Sequence, residues 1–450
     1  MTEIDRTRLA ALLQRELEHF AGAHPRSREL YDRARDSLIG GVPMPWMMRW
    51  AGGHPVFAAH GQGARIVDVD GHEYIDFALG DTGAMAGHSP ASTANATAHQ
   101  AGHGITMMLP TEDGIWVAEE LTRRFGVPRW LFTLSATDAN RTALRIARQL
   151  TRRSKILVYS YCYHGSVDEA FAVGEGGATR AREGNVGAPV PVGQTTVAIE
   201  FNDLDALERE LATGEIAVVL AEPAMTNMGI ILPDDGYLDA LRELTRRHGT
   251  LLIIDETHTF SAGPGGCTQA WGLDPDILVI GKAIGGGVPS GALGLTQELV
   301  DRLFAEEDAD YEDTGGVGGT LAGNALSSAA MRATLEHTLH ADAFAHMVPL
   351  ATRFTEGVQG VIDAAGVPWN VTQLGCRSEY QFLPERARNG TVAFHSHDED
   401  LEHYLHLHAL NRGVMITPFH NMALMCPQSR ETDVDRHTEV FGEAVRELTG

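Results

Sequence analysis

Five near-continuous apolar runs between residues 155 and 281 constrain this chain most: KILVYSY, TTVAIEF, IAVVLAEP, TLLIIDE and DILVIG. Each has the length of a strand. Amphipathic stretches such as DLDALERELATG and GYLDALRELTRRHG, each closed by glycine, lie between several of them. A strand that is apolar throughout is buried on both faces, and the architecture that does this is a mainly parallel sheet covered by helices. The pattern therefore predicts an α/β fold. RWLFTLS adds a further strand near residue 129, and DANRTALRIARQLT reads as a helix opened by Asp138. Ligands of such sheets sit at the carboxyl ends of the strands.

Outside this core the texture changes. Residues 9–20 read as an amphipathic helix, and ARIVDVDGHEYIDFA reads as a hairpin turning at Asp70-Gly71. Beyond about residue 330 the chain becomes helical and then mixed. The expected organisation is an N-terminal segment over 1–60, a large domain over 61–330 and a smaller C-terminal α+β domain over 331–450. A formal net charge of −25 argues against nucleic acid or an anionic membrane as partner. The four cysteines are widely spaced without a C-x-x-C, so neither a metal knuckle nor a disulfide framework is indicated. The N-terminus lacks the apolar stretch of a signal peptide, and no run is long enough to span a bilayer, so a cytoplasmic protein is expected.

The 35 basic residues include only two lysines, Lys155 and Lys282. Guanidinium stays protonated, whereas a lysine amine can lose its proton and form a Schiff base with an aldehyde. Lys155 sits in a polar turn. Lys282 follows the strand ILVIG and precedes three glycines. Asp255 ends the preceding strand, Ser135, Ala136 and Thr137 stand at a strand-to-helix junction suited to a phosphate, and Tyr163 and His164 follow another strand. Singly, each has a plainer role: Asp255 as a helix cap, Tyr163 as a core aromatic, Ala136-Thr137 as an ordinary helix start. Together they match the needs of pyridoxal phosphate, which are a lysine for its aldehyde, a helix N-terminus for its phosphate and an anion for its ring nitrogen.

With LAEPAMTNMG, IIDETHT, IGKAIGGGVPSGALG and GGTLAGNAL, the sequence resembles the class III (fold type I) pyridoxal-phosphate aminotransferases, especially the glutamate-1-semialdehyde aminomutase-like branch. The resemblance spans nearly the whole chain. It implies a seven-stranded, mainly parallel sheet, Lys282 as the Schiff-base lysine, Asp255 on the pyridine nitrogen and Tyr163 stacked on the ring. It further implies Asn227 near the phenolic oxygen, Ala136 and Thr137 on the phosphate, and Ser135, His164, Glu222 and Thr257 within the cofactor site. Thr320 would reach the phosphate of a neighbouring subunit in a homodimer with shared sites.

The substrate side departs from that family. Ala136 replaces a glycine, DETHTFSAGPGG lacks a basic residue at its end, PMPWMMRW replaces an asparagine-serine-rich loop, and His420 stands where the aminomutases carry glutamate. Trp46, Met47, Met48, Phe419 and Met422 suggest apolar walls, although the Met44–Trp50 run could equally be core. Arg49 or Arg377 could meet a substrate carboxylate, or Arg377 could pair with Glu379 or Glu256. The expected activity is therefore a ping-pong aminotransferase, moving an amino group from a bulky apolar or aromatic amine, amino acid or β-amino acid donor to a keto acceptor. Its alternatives are an aminomutase or racemase on the same scaffold, or a binding protein without turnover. His395, His397, His403, His406 and His408 are not spaced for metal, so a solvated helix or subunit contact is expected there and no metal. The glycines at 285–287 lack a dinucleotide-binding context.

Overall fold

The computed structural model describes residues 4–307, 309–312 and 315–450. They form two compact units: residues 91–341 with 387–395, and the remainder through 90, 342–386 and 396–450.

The first unit holds a seven-stranded sheet. Its strands are β1 (Arg129–Thr133), β2 (Lys155–Tyr159), β3 (Thr196–Ile199), β4 (Ile216–Ala221), β5 (Leu251–Asp255), β6 (Ile277–Gly281) and β7 (Gly291–Leu295). They hydrogen-bond in the order β1-β7-β6-β5-β4-β2-β3. All neighbours are parallel except β7, which runs antiparallel to both β6 and β1. Every residue of β4, β5, β6 and β7 is buried, as near-continuous apolar runs require. The glycines of β7 permit close packing: a Cβ on Gly291 would lie 2.5 Å from the Ser135 backbone, and one on Gly294 would lie 2.9 Å from the Trp130 ring. The helix after β1 begins at Ala136, one turn earlier than expected from Asp138. Ser135 is the cap, because its hydroxyl accepts from the Asp138 amide at 3.2 Å.

In the second unit, Arg65–Asp68 and Glu73–Asp76 form the hairpin expected around Asp70-Gly71, with Gly71 at φ +91°. Glu73–Asp76 also pairs in parallel with Val414–Met415. The Arg6–Ala23 helix buries Leu9 and Phe20, and Phe20 joins a core with Leu407 and Met415. These long-range pairings attach the N-terminal segment to the C-terminal one, so the boundaries fall near residues 90 and 341 rather than 60 and 330. The expectation of a solvated histidine-rich helix is overturned. In Glu399–Leu410 nearly every residue from Leu401 onward is buried, including His406 and His408. Burial pushes both imidazoles down to about 4, so they pack as neutral groups.

Candidate active site

β5 and β6 are parallel neighbours with Asp255 opposite Val279, which sets their carboxyl ends side by side. Asp255 ends β5 and Lys282 directly follows β6. Lys282 has φ +49°, in the left-handed region that side-chain-bearing residues seldom occupy. A conformation of that kind costs on the order of 1–2 kcal/mol and is typically kept where its geometry is used. Gly281 is equally constrained, since a Cβ there would lie 2.9 Å from both the amide nitrogen and the Cβ of Ala136. That close approach brings the lysine to the start of the 136–151 helix.

Asp255 is buried, and three donors hold it. Asn140 Nδ2 donates to Oδ2 at 2.8 Å, His164 Nδ1 lies 2.9 Å from the same oxygen, and the Thr257 amide donates to Oδ1 at 3.0 Å. Burial alone would protonate this carboxyl. The hydrogen bond and charge of His164, with Thr257 and Asn140, outweigh it and hold Asp255 down to about 2. Burial likewise works against a charged imidazole at His164, but Cys162 and Asp255 keep that ring well above its ordinary value. Asp255 is thus a buried carboxylate stabilised as an anion by an imidazolium. Glu222, just past β4, behaves differently: burial pushes it up to about 7, although Thr226 donates to it through both amide and hydroxyl.

The opening turn of the 136–151 helix supplies the phosphate end. Ser135, Ala136 and Thr137 are half-buried, and the N–H groups of a first helical turn have no acceptor within the helix. The Thr137 hydroxyl accepts from the Ser166 amide at 3.2 Å. A Cβ on Gly165 would meet that hydroxyl at 2.0 Å, so this loop closes tightly over the helix start. Tyr163, in the same loop, is 39% exposed and meets Phe171 edge-on. Asn227 donates to the Tyr161 carbonyl at 2.8 Å. The Thr257 hydroxyl is buried without a hydrogen-bond partner among the described residues. Thr320 is exposed.

A buried anion, an amine, a helix N-terminus, an exposed aromatic ring and an unpartnered buried hydroxyl at the strand ends of one sheet fit pyridoxal phosphate. Two contributors escaped the sequence reading. Asn140 follows Ala136 by four residues and so shares its helix face, a signal that was available. His258, within IIDETHT, lies with Nε2 2.9 Å from Lys282 Nζ.

The substrate candidates belong to the other unit. Trp46 meets Phe419 edge-on at 5.8 Å, and the Arg49 guanidinium lies 5.5 Å from the centre of the same ring. Arg377 is fully buried and pairs with Glu379 at 3.4 Å, while His420 Nδ1 lies 2.9 Å from the other oxygen of that carboxylate. Arg377 therefore takes the structural role considered for it rather than standing open to a carboxylate. Glu256, the other partner considered, has its carboxylate filled by Thr259, Cys267 and Thr268.

A cavity of about 450 Å³ opens at the amino end of the sheet, beside Leu251, and is lined by Arg242, Arg246, Asp274 and Asp276. Its arginines are already paired, Arg242 with both oxygens of Asp276 at 2.7 and 2.8 Å and Arg246 with Asp274. Among the described residues, two groups have metal-ligand proximity: His24 with Asp68 and His72, and Glu16 with His408 and Glu447. The first is already closed by Tyr74, whose hydroxyl bridges His24 and Asp68 at 2.8 and 2.7 Å. No described helix is long and apolar enough to cross a membrane.

The class-III aminotransferase family profile matches residues 47–441. The chain is 36% identical, over 87% of its length and 90% of the relative's, to a glutamate-1-semialdehyde 2,1-aminomutase of Roseiflexus castenholzii. The crystal structure of a glutamate-1-semialdehyde aminomutase from Pseudomonas aeruginosa PAO1 superposes with a TM-score of 0.96 at 47% identity, covering 99% of both chains. A lysine-to-alanine variant of that enzyme has been crystallised in complex with PMP. An omega-transaminase from Sphaerobacter thermophilus superposes with a TM-score of 0.85 at 30% identity, over 94% of this chain and 98% of that one. With the strand-end residues described above, these likenesses make the chain a class III aminotransferase-family enzyme of fold type I, in the glutamate-1-semialdehyde aminomutase-like branch, with pyridoxal 5'-phosphate as its cofactor.

Proposed function

We propose that this enzyme is an aminomutase of the glutamate-1-semialdehyde type, moving an amino group between adjacent carbons of one small molecule. The observation that carries this reading is the 47% identity, over 99% of both chains, to the Pseudomonas enzyme of that name. It displaces the bulky-substrate aminotransferase expected from the sequence, which rested on a few departures in the substrate segments.

In this reading Lys282 would hold the cofactor and, once free, would serve as the general acid and base that moves protons at the reacting carbons. When bound, the cofactor supplies an electron sink for the charge that develops on the substrate carbon. Asp255, pinned by Asn140 and His164, would hold the proton on the pyridine nitrogen and keep that sink effective. Tyr163 would lie against the ring, Asn227 would serve its phenolic oxygen, and Ser135, Ala136 and Thr137 would bind the phosphate. Glu222 and Thr257 complete the pocket.

Thr320 of one copy reaches the phosphate site of the other in a homodimer. Exposed apolar side chains support that assembly: Met108 is 82% and Leu109 69% exposed, and Leu321, next to Thr320 in sequence, is 51% exposed.

A second reading, amino transfer between two molecules, is favoured by the Trp46–Phe419 pair, which would reward apolar side chains. Glutamate-1-semialdehyde supplied without any keto acceptor separates the two. Conversion to the 2,1-shifted isomer faster than transfer from aromatic amines supports the aminomutase. Transfer only when a keto acceptor is present overturns it.

A further inference from the structure

His258 and Lys282 meet from two separate segments of the chain. Both side chains are half-buried, on separate loops after β5 and β6, and Nε2 and Nζ are 2.9 Å apart. The acidic groups on the same segment are engaged elsewhere. Asp255 is held by Asn140, His164 and Thr257, and Glu256 by Thr259, Cys267 and Thr268.

A primary amine of ordinary pKa is deprotonated only about once in a thousand molecules or fewer at pH 7. An amine must nevertheless offer a lone pair to attack an aldehyde. A neutral imidazole at hydrogen-bond distance can take the proton that the amine must lose before it attacks, a role imidazole commonly fills in enzymes. We propose that His258 is the general base that deprotonates Lys282 when the lysine captures the cofactor's aldehyde. This rests on Lys282 being the attachment point.

The proton bookkeeping closes without a further reactant. A Nζ–H bond breaks and a Nε2–H bond forms, leaving the electron pair on Nζ. That pair forms the bond to the aldehyde carbon. After a second N–H proton moves to the former carbonyl oxygen, the His258 imidazolium returns its proton to that hydroxyl, which leaves as water, and a protonated carbon–nitrogen double bond remains. His258 ends neutral, as it began.

The test strips the cofactor from the full-length holoenzyme and follows pyridoxal phosphate capture by stopped-flow absorbance from pH 6 to 10. In the wild type, the rate should level off within this range, once the imidazole is neutral. His258→Gln keeps a polar side chain but cannot accept the proton. Its rate at pH 7 should fall by roughly 10²-fold and climb about tenfold per pH unit. Added imidazole should restore His258→Gly by tenfold or more. Circular dichroism and borohydride labelling check that each variant folds and still attaches the cofactor at Lys282. A His258→Gln profile superimposable on the wild type, or a His258→Gly variant indifferent to imidazole, overturns the proposal. Labelling at any other residue overturns instead the attachment reading on which it rests.

Discussion

The two ends of the seven-stranded sheet are built from the same strands and differ in how their charges are answered. At the amino end, a cavity of about 450 Å³ is lined by arginines already matched by Asp274 and Asp276. At the carboxyl end, polar groups are buried in unequal company: an anion held by an imidazolium, a glutamate pushed up to about 7, and an unpartnered hydroxyl. Room alone does not make a site. A matched ion pair has no chemistry left to offer, whereas groups held in costly protonation states are poised to act.

If that contrast is right, Asp255→Asn should show the largest effect of these substitutions. An amide cannot hold the ring nitrogen protonated, so turnover should fall by about 10³-fold or more while the fold and cofactor attachment persist. Steady-state kinetics alongside absorbance of the bound cofactor would measure both.

A smaller but still severe effect is expected at Gly281→Ala. The new Cβ would press on the Ala136 backbone, so the strand end or the helix start must shift. A loss of about 1–3 kcal/mol is expected, with weakened phosphate affinity. Denaturant unfolding and cofactor titration would read the two consequences separately.

The behaviour of Glu222 sharpens the contrast through pH. Its folded pKa is raised from 4.5 to about 7 by burial, so its contribution to stability is fully present below pH 4.5. That contribution is lost as pH rises through 7. Glu222→Gln should therefore gain on the wild type above pH 7 by up to about 3 kcal/mol, and show no such gain below pH 4.5. Melting curves at pH 4 and pH 8.5 would show a flat difference if the carboxyl were not perturbed.

At the amino end, replacing Arg242 and Asp276 together by alanine should leave turnover within about twofold and cost about 1 kcal/mol or somewhat more of stability. A large loss of activity would make that cavity part of the site and dissolve the comparison.

Much of the carboxyl end could be read from sequence, because strand ends are marked by where apolar runs stop. LLIID ends on Asp255 and ILVIG stops one residue before Lys282. His258 could not be read the same way. It is three residues from Asp255 but reaches Lys282 only because β5 and β6 are neighbours in parallel register, a fact of pairing rather than of spacing. The unit boundaries were hidden for the same reason, since Glu73–Asp76 finds Val414–Met415 at long range. The histidines of the 399–410 helix looked solvated because polarity was taken for exposure. There His406 is buried, and its Nε2–H donates to Asn421 Oδ1 at 3.0 Å.

The central claim is that Lys282 carries the cofactor, and the scarcity of lysine in the chain makes it directly testable. The holoenzyme reduced with borohydride and digested should yield a single pyridoxyl-bearing peptide, containing Lys282, with Lys155 unmodified. Label on Lys155, or no label on either lysine, would contradict the account.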